Sequence, residues 1–157
     1  MRQGQTVGSV EESVGYALKQ ATVALRAAMD GALRPWELTV PQYACLELLG
    51  QQPGLSNAEL ARGVFVTRQS MNGVLRGLQD RGLLTRPATA PRGRALPSQL
   101  TPAGRERLYA ASTAVRAVER RMLAGLPPTD QRRLRKHLAV CTAALTPHIT
   151  VSPDQAD

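Results

Sequence analysis

Apolar residues recur at helical spacing along most of the chain. Val14, Leu18, Ala21, Leu25 and Ala28 alternate steps of four and three, predicting a long helix over about Glu11 to Leu33 with one apolar stripe. Pro41 opens a second helix through about Gly50, with Tyr43, Ala44, Leu46, Leu48 and Leu49 on its inner side, and Gln51-Gln52-Pro53-Gly54 ends it. Ser56-Asn57-Ala58-Glu59 fits a capping box, in which hydroxyl and carboxylate satisfy the free amides of a short helix carrying Leu60, Ala61 and Val64. Gly63 to Val66 reads as a turn. Thr67 then caps a further helix to Arg81, whose apolar side is Met71, Val74, Leu75 and Leu78.

Gly82 suits a left-handed residue at the end of that helix, and Leu83 to Arg86 reads as a short extended run. Pro87 to Pro97 holds three prolines, Arg92, Gly93 and Arg94 and reads as a hairpin tip, with Gln99-Leu100 as the return. Thr101 caps a long helix that begins at Pro102, where the missing N–H is harmless, and runs to about Ala124 through Leu108, Ala111, Val115, Val118 and Met122. Gly125-Leu126-Pro127-Pro128 breaks it. Thr129 or Asp130 is expected to cap a last helix, where Leu134, Leu138, Cys141 and Leu145 keep the spacing to Pro147. Met1 to Val10 and Val151 to Asp157 are expected to be loose ends. Helix, helix, basic hairpin, helix is the order of a winged helix-turn-helix, so the fold class expected is mainly α, with one small sheet.

The polar face of the Thr67 to Arg81 helix changes the picture. Arg68, Gln69, Ser70, Asn72, Gly73 and Arg76 include no carboxylate, and they supply side chains that hydrogen-bond base edges and phosphates in a major groove. Charge agrees. The formal net charge is +8, and between Arg62 and Arg107 nine arginines stand against Asp80 and Glu106, so most of the excess lies in the helix-turn-helix and wing. That placement points to double-stranded DNA, with a general cationic surface as the bland alternative. Ser56, Asn57, Thr67, Arg86, Arg92 and Arg94 complete the expected DNA-binding set.

Leu38-Thr39-Val40-Pro41-Gln42-Tyr43, Leu55-Ser56-Asn57-Ala58-Glu59-Leu60-Ala61, Leu78-Gln79-Asp80-Arg81-Gly82-Leu83-Leu84 and Leu100-Thr101-Pro102-Ala103-Gly104 follow one another along the chain. In that order they resemble the multiple antibiotic resistance regulator (MarR) family of winged helix-turn-helix transcription factors, over roughly Val10 to Leu145. The resemblance implies a ligand-responsive repressor that binds a pseudo-palindromic operator as a homodimer. It also implies that Arg94 matches a wing arginine of the minor groove, whereas the aspartate usual two residues earlier is Arg92 here. The long stripes at both ends agree with a twofold dimer, with residues 11–33 and 102–146 as dimerisation helices and 38–101 as the DNA-binding lobe of a single domain spanning 1–157.

Other chemistry is sparse. No apolar stretch reaches the length of a membrane span and no secretory leader is visible, so a cytoplasmic protein is expected. His137 and His148 lack companions at metal-ligand spacing and no phosphate-cradling glycine motif occurs, so neither catalysis, metal nor cofactor is expected. Cys45 and Cys141 read as buried thiols, with a redox-sensing regulator of the same fold as the other reading. A protein-binding winged helix without specific DNA binding is a further one. The resemblance implies a cleft for a small aromatic or phenolic effector, which Arg34, Trp36 and Tyr43 would line; ordinary core is the alternative for Trp36 and Tyr43.

Overall fold

The computed structural model describes residues 8–86 and 97–147. Short-range hydrogen bonds set where its helices begin. Ser13 Oγ accepts from the Tyr16 amide at the start of α1 (Val14–Leu33), after a 3-10 turn at Val10–Glu12. Thr39 and Gln42 form a capping box for α2 (Val40–Gln51), as Ser56 and Glu59 do for α3 (Asn57–Val64). Thr67 Oγ1 accepts from the Ser70 amide at 3.0 Å to start α4 (Arg68–Asp80). Beyond α4, β1 (Leu84–Thr85) pairs antiparallel with β2 (Gln99–Leu100), placing Leu84 opposite Leu100 and Thr85 opposite Gln99. α5 (Pro102–Leu123) and α6 (Pro128–Leu145) follow. The fold is the mainly helical winged helix-turn-helix that the pattern predicts.

The chain divides into two compact units, Met1–Glu119 and Arg120–Asp157. In the first, α2, α3 and α4 pack around Leu46, Leu49, Leu60, Met71, Leu75 and Leu78, all essentially without solvent contact. Leu84 and Leu100 carry that core under the sheet. The base of the sheet is tied to α5 by one side chain: Thr101 Oγ1 donates to the Gly82 carbonyl at 2.6 Å and accepts from the Gly104 amide at 3.0 Å. In the second unit, Gln131 Nε2 donates to the Leu123 and Leu126 carbonyls at 3.2 and 2.9 Å, closing the break between α5 and α6.

Three expectations are corrected. Gly63 is helical rather than part of the turn: a Cβ there would meet Leu48 Cδ1 at 2.6 Å, so the glycine serves to let α3 lie close on α2, and the chain turns at Phe65 instead. Neither Thr129 nor Asp130 caps α6: the helix starts at Pro128 with no side-chain cap, and Asp130 lies in the first turn, 3.5 Å from Arg133. Cys141 is exposed, since α6 buries none of its residues within one chain. The α1 stripe is similarly uncovered: Val14, Leu18 and Ala21 are exposed, Leu25 and Ala28 are half-buried, and Leu33 alone of the helix is buried.

Candidate nucleic-acid interface

α4 divides sharply by face. Met71, Leu75 and Leu78 are buried, while Arg68, Gln69, Ser70, Asn72, Gly73 and Arg76 are exposed. The exposed face meets no carboxylate before Asp80, and among the described residues neither Arg68 nor Arg76 has an acidic partner. Among the described residues neither guanidinium has a partner, and the amide and hydroxyl side chains of Gln69, Ser70 and Asn72 share the exposed face with them. Nothing lies within 4 Å of where a Gly73 side chain would begin, so a ligand's backbone can approach the helix there.

α3 supports this face. Ser56 and Glu59 exchange hydrogen bonds, with the Ser56 amide donating to Glu59 Oε2 at 2.7 Å, and those bonds hold the Glu59 carboxyl below its usual range. Asn57 at the start of α3 pairs with Asn72 in the middle of α4 through Nδ2 and Oδ1, linking the two helices across their polar side. Asn72 is thus oriented by Asn57, a relation that the spacing along the chain does not reveal. At the sheet, Arg86 lines a hollow of about 290 Å³ with Thr85, Pro97 and Gln99. Arg92 and Arg94 lie outside the described residues.

The predicted effector trio separates. Tyr43 belongs to the core: its hydroxyl donates to Glu47 Oε1 at 3.5 Å, and burial, with Glu47 adding to it, pushes its pKa up to about 12. Arg34 is exposed and lines no part of the cleft that contains Trp36. That cleft, about 330 Å³, is bounded by Trp36, Leu83 and the α5 residues Ala103, Glu106, Arg107 and Ala110, so its charged groups are the cations of Arg81 and Arg107 and the carboxylate of Glu106. Each arginine also donates to a main-chain carbonyl of the α1–α2 connection at 2.6 Å, Arg107 to Trp36 and Arg81 to Glu37. Only the folded chain brings these together, over separations of 71 and 44 residues.

Cys45 is fully buried, and burial pushes its thiol up to about 12. A thiol held neutral there is a poor nucleophile. In a Cys141→Ser variant, the folded protein at about pH 8 should therefore resist a water-soluble disulfide reagent for an hour and release one reactive thiol on unfolding in urea. Fast labelling of the folded form would contradict this.

A profile of the MarR family matches residues 36–95. The HTH-type transcriptional repressor Rv2887 of Mycobacterium tuberculosis is 46% identical over 125 residues, covering 80% of this chain and 90% of the repressor. A crystal structure of Rv2887 in complex with DNA superposes with a TM-score of 0.69 at 42% identity, over 82% of this chain and 97% of that one. Its complex with salicylic acid gives 0.67 at 44% identity, over 82% and 96%. With that similarity added to a winged helix-turn-helix whose second helix bares an acid-free polar face, the chain belongs to the MarR family of DNA-binding transcriptional regulators.

Proposed function

We propose that this protein is a homodimeric repressor that reads a pseudo-palindromic operator and releases it when a small aromatic acid binds. The observation that carries the reading is α4, whose exposed side presents Arg68, Gln69, Ser70, Asn72, Gly73 and Arg76 without a carboxylate while its other side is locked into the core. In this reading Thr67 and Ser56 position the helices, Asn57 orients Asn72, and Arg86, Arg92 and Arg94 carry the wing's contacts. Residues 38–101 form the DNA lobe and 11–33 with 102–146 the dimer contacts of one domain. The uncovered apolar side chains of α1 and α6 support pairing with a second copy. The site of action is the cytoplasm; among the described residues no helix is long and apolar enough to cross a membrane.

The effector reading rests on the cleft beside Trp36, where an indole and the two guanidiniums of Arg81 and Arg107, outnumbering the one carboxylate of Glu106, suit a ring bearing a carboxylate. The salicylic acid complex of Rv2887 makes that ligand class the first to test. Fluorescence anisotropy on the DNA upstream of its own gene provides the experiment. Because neutralised phosphates release counterions, affinity should fall roughly a thousandfold or more between about 50 and 200 mM salt if six phosphates are engaged. Added salicylate should raise the apparent Kd further. A flat salt profile would sink the DNA reading; an unchanged Kd with a range of aromatic acids would sink only the effector.

A further inference from the structure

Phe65 is the most exposed large apolar side chain among the described residues, at 93%. It also occupies the left-handed region, with φ 63° and ψ 41°, a conformation that glycine or asparagine adopts more easily than an aromatic residue. The fold has no evident use for the ring. The turn closes through the main chain, with the Phe65 amide donating to Ala61 and Arg62 carbonyls and the Val66 amide to Ala61 at 3.0 Å. Val64 and Val66, on either side, are the residues that pack against the core.

What the ring has is position. It sits between α3 and α4, two residues before the Thr67 cap and three before Arg68, so its Cα lies within about 11 Å of the Cα of the first helical arginine. Arg62 and Arg68, both exposed, flank it, and no acid lies between them in the chain. A helix start that enters a major groove brings such a ring to the base edges, and the apolar group displayed there is the C5-methyl of thymine. The ring offers phosphate no donor, so the contact it suits is with a base.

We propose that Phe65 is a specificity-determining residue that packs its ring on a thymine methyl beside the bases faced by Arg68 and Gln69. The inference rests on the DNA reading above. The test begins with duplexes enriched from a random library by the wild-type protein, in which each thymine is then replaced singly by deoxyuridine, removing only the methyl. Wild type should lose about fourfold in affinity at one or two thymines of each half-site, the worth of one buried methyl. Phe65→Gly, which suits the left-handed backbone, should fold with an equal or higher melting temperature, bind the parent duplex about fourfold more weakly, and no longer distinguish thymine from uracil at those positions. Phe65→Asn should behave alike.

Retained discrimination in both variants, or equal loss on every duplex, overturns the inference while leaving DNA binding intact. A shift to monomer on sedimentation with thymine discrimination unchanged would assign the ring to a second copy of the chain and also overturn it. If the wild-type protein enriches no sequence at all, the DNA reading falls and takes this inference with it.

Discussion

Replacing Gly104 with alanine is expected to cost about 3 kcal/mol of stability, or roughly 6–12 °C in melting temperature for a chain of this size. A Cβ at this position would lie 1.9 Å from the Leu83 carbonyl oxygen and 3.0 Å from its carbon. Both are main-chain atoms, so no side chain can swing aside. The first turn of α5 cannot retreat either, because Thr101 binds the Gly82 carbonyl and the Gly104 amide, and its own amide donates to Leu83 at 3.2 Å. Relief must come from parting α5 from the start of the wing, whose sheet is held by two residue pairs among the described residues. Gly73→Ala is the matched control. With nothing within 4 Å of its Cβ, it should stabilise α4 by about 0.5–1 kcal/mol through helix propensity. Circular dichroism melts of the two variants should therefore move in opposite directions, and an unchanged melt for Gly104→Ala would show that the close approach is not obligatory.

Replacing Arg68 and Arg76 together with alanine should weaken operator binding by about a hundredfold or more near 0.1 M salt while leaving the melt unchanged. Both side chains are exposed and neither has an acidic partner among the described residues, so their removal breaks no pair in the folded chain. How the loss is distributed separates two roles. If both arginines neutralise phosphates, every duplex weakens alike and the slope of log affinity against log salt shrinks by about two. If either grips a guanine edge, the loss concentrates at particular base pairs and the slope changes less. Binding within threefold of wild type would mean that α4 is not the surface that meets DNA.

Local chemistry was the legible part of this chain. The Ser56–Glu59 box, the Thr67 and Thr101 caps, Pro102 and Gly82 each act within four residues, and the structure places all of them as the pattern predicts. The acid-free face of α4 was legible for the same reason, since helical periodicity sorts its residues into inside and outside. Local signals also misled where two competed: Pro128 takes the first helical position, leaving Thr129 and Asp130 inside α6 rather than at its cap.

Relations across the fold were not legible. Arg34, Trp36 and Tyr43 are neighbours in sequence, yet the cations beside Trp36 come from Arg81 and Arg107. Gly63 looked like a turn residue because nothing local reveals Leu48 above it. The stripe that carries Cys141 predicts a covered face, and periodicity does not say whether the cover comes from the same chain.

The two guanidinium tethers on the α1–α2 connection end on peptide oxygens. Every amino acid has that oxygen, so substitution at Trp36 or Glu37 leaves the acceptors in place, and the strap can be severed by mutation only from the arginine side. A change of side chain on this connection therefore alters the wall of the cleft without loosening its anchorage to the foot of α4.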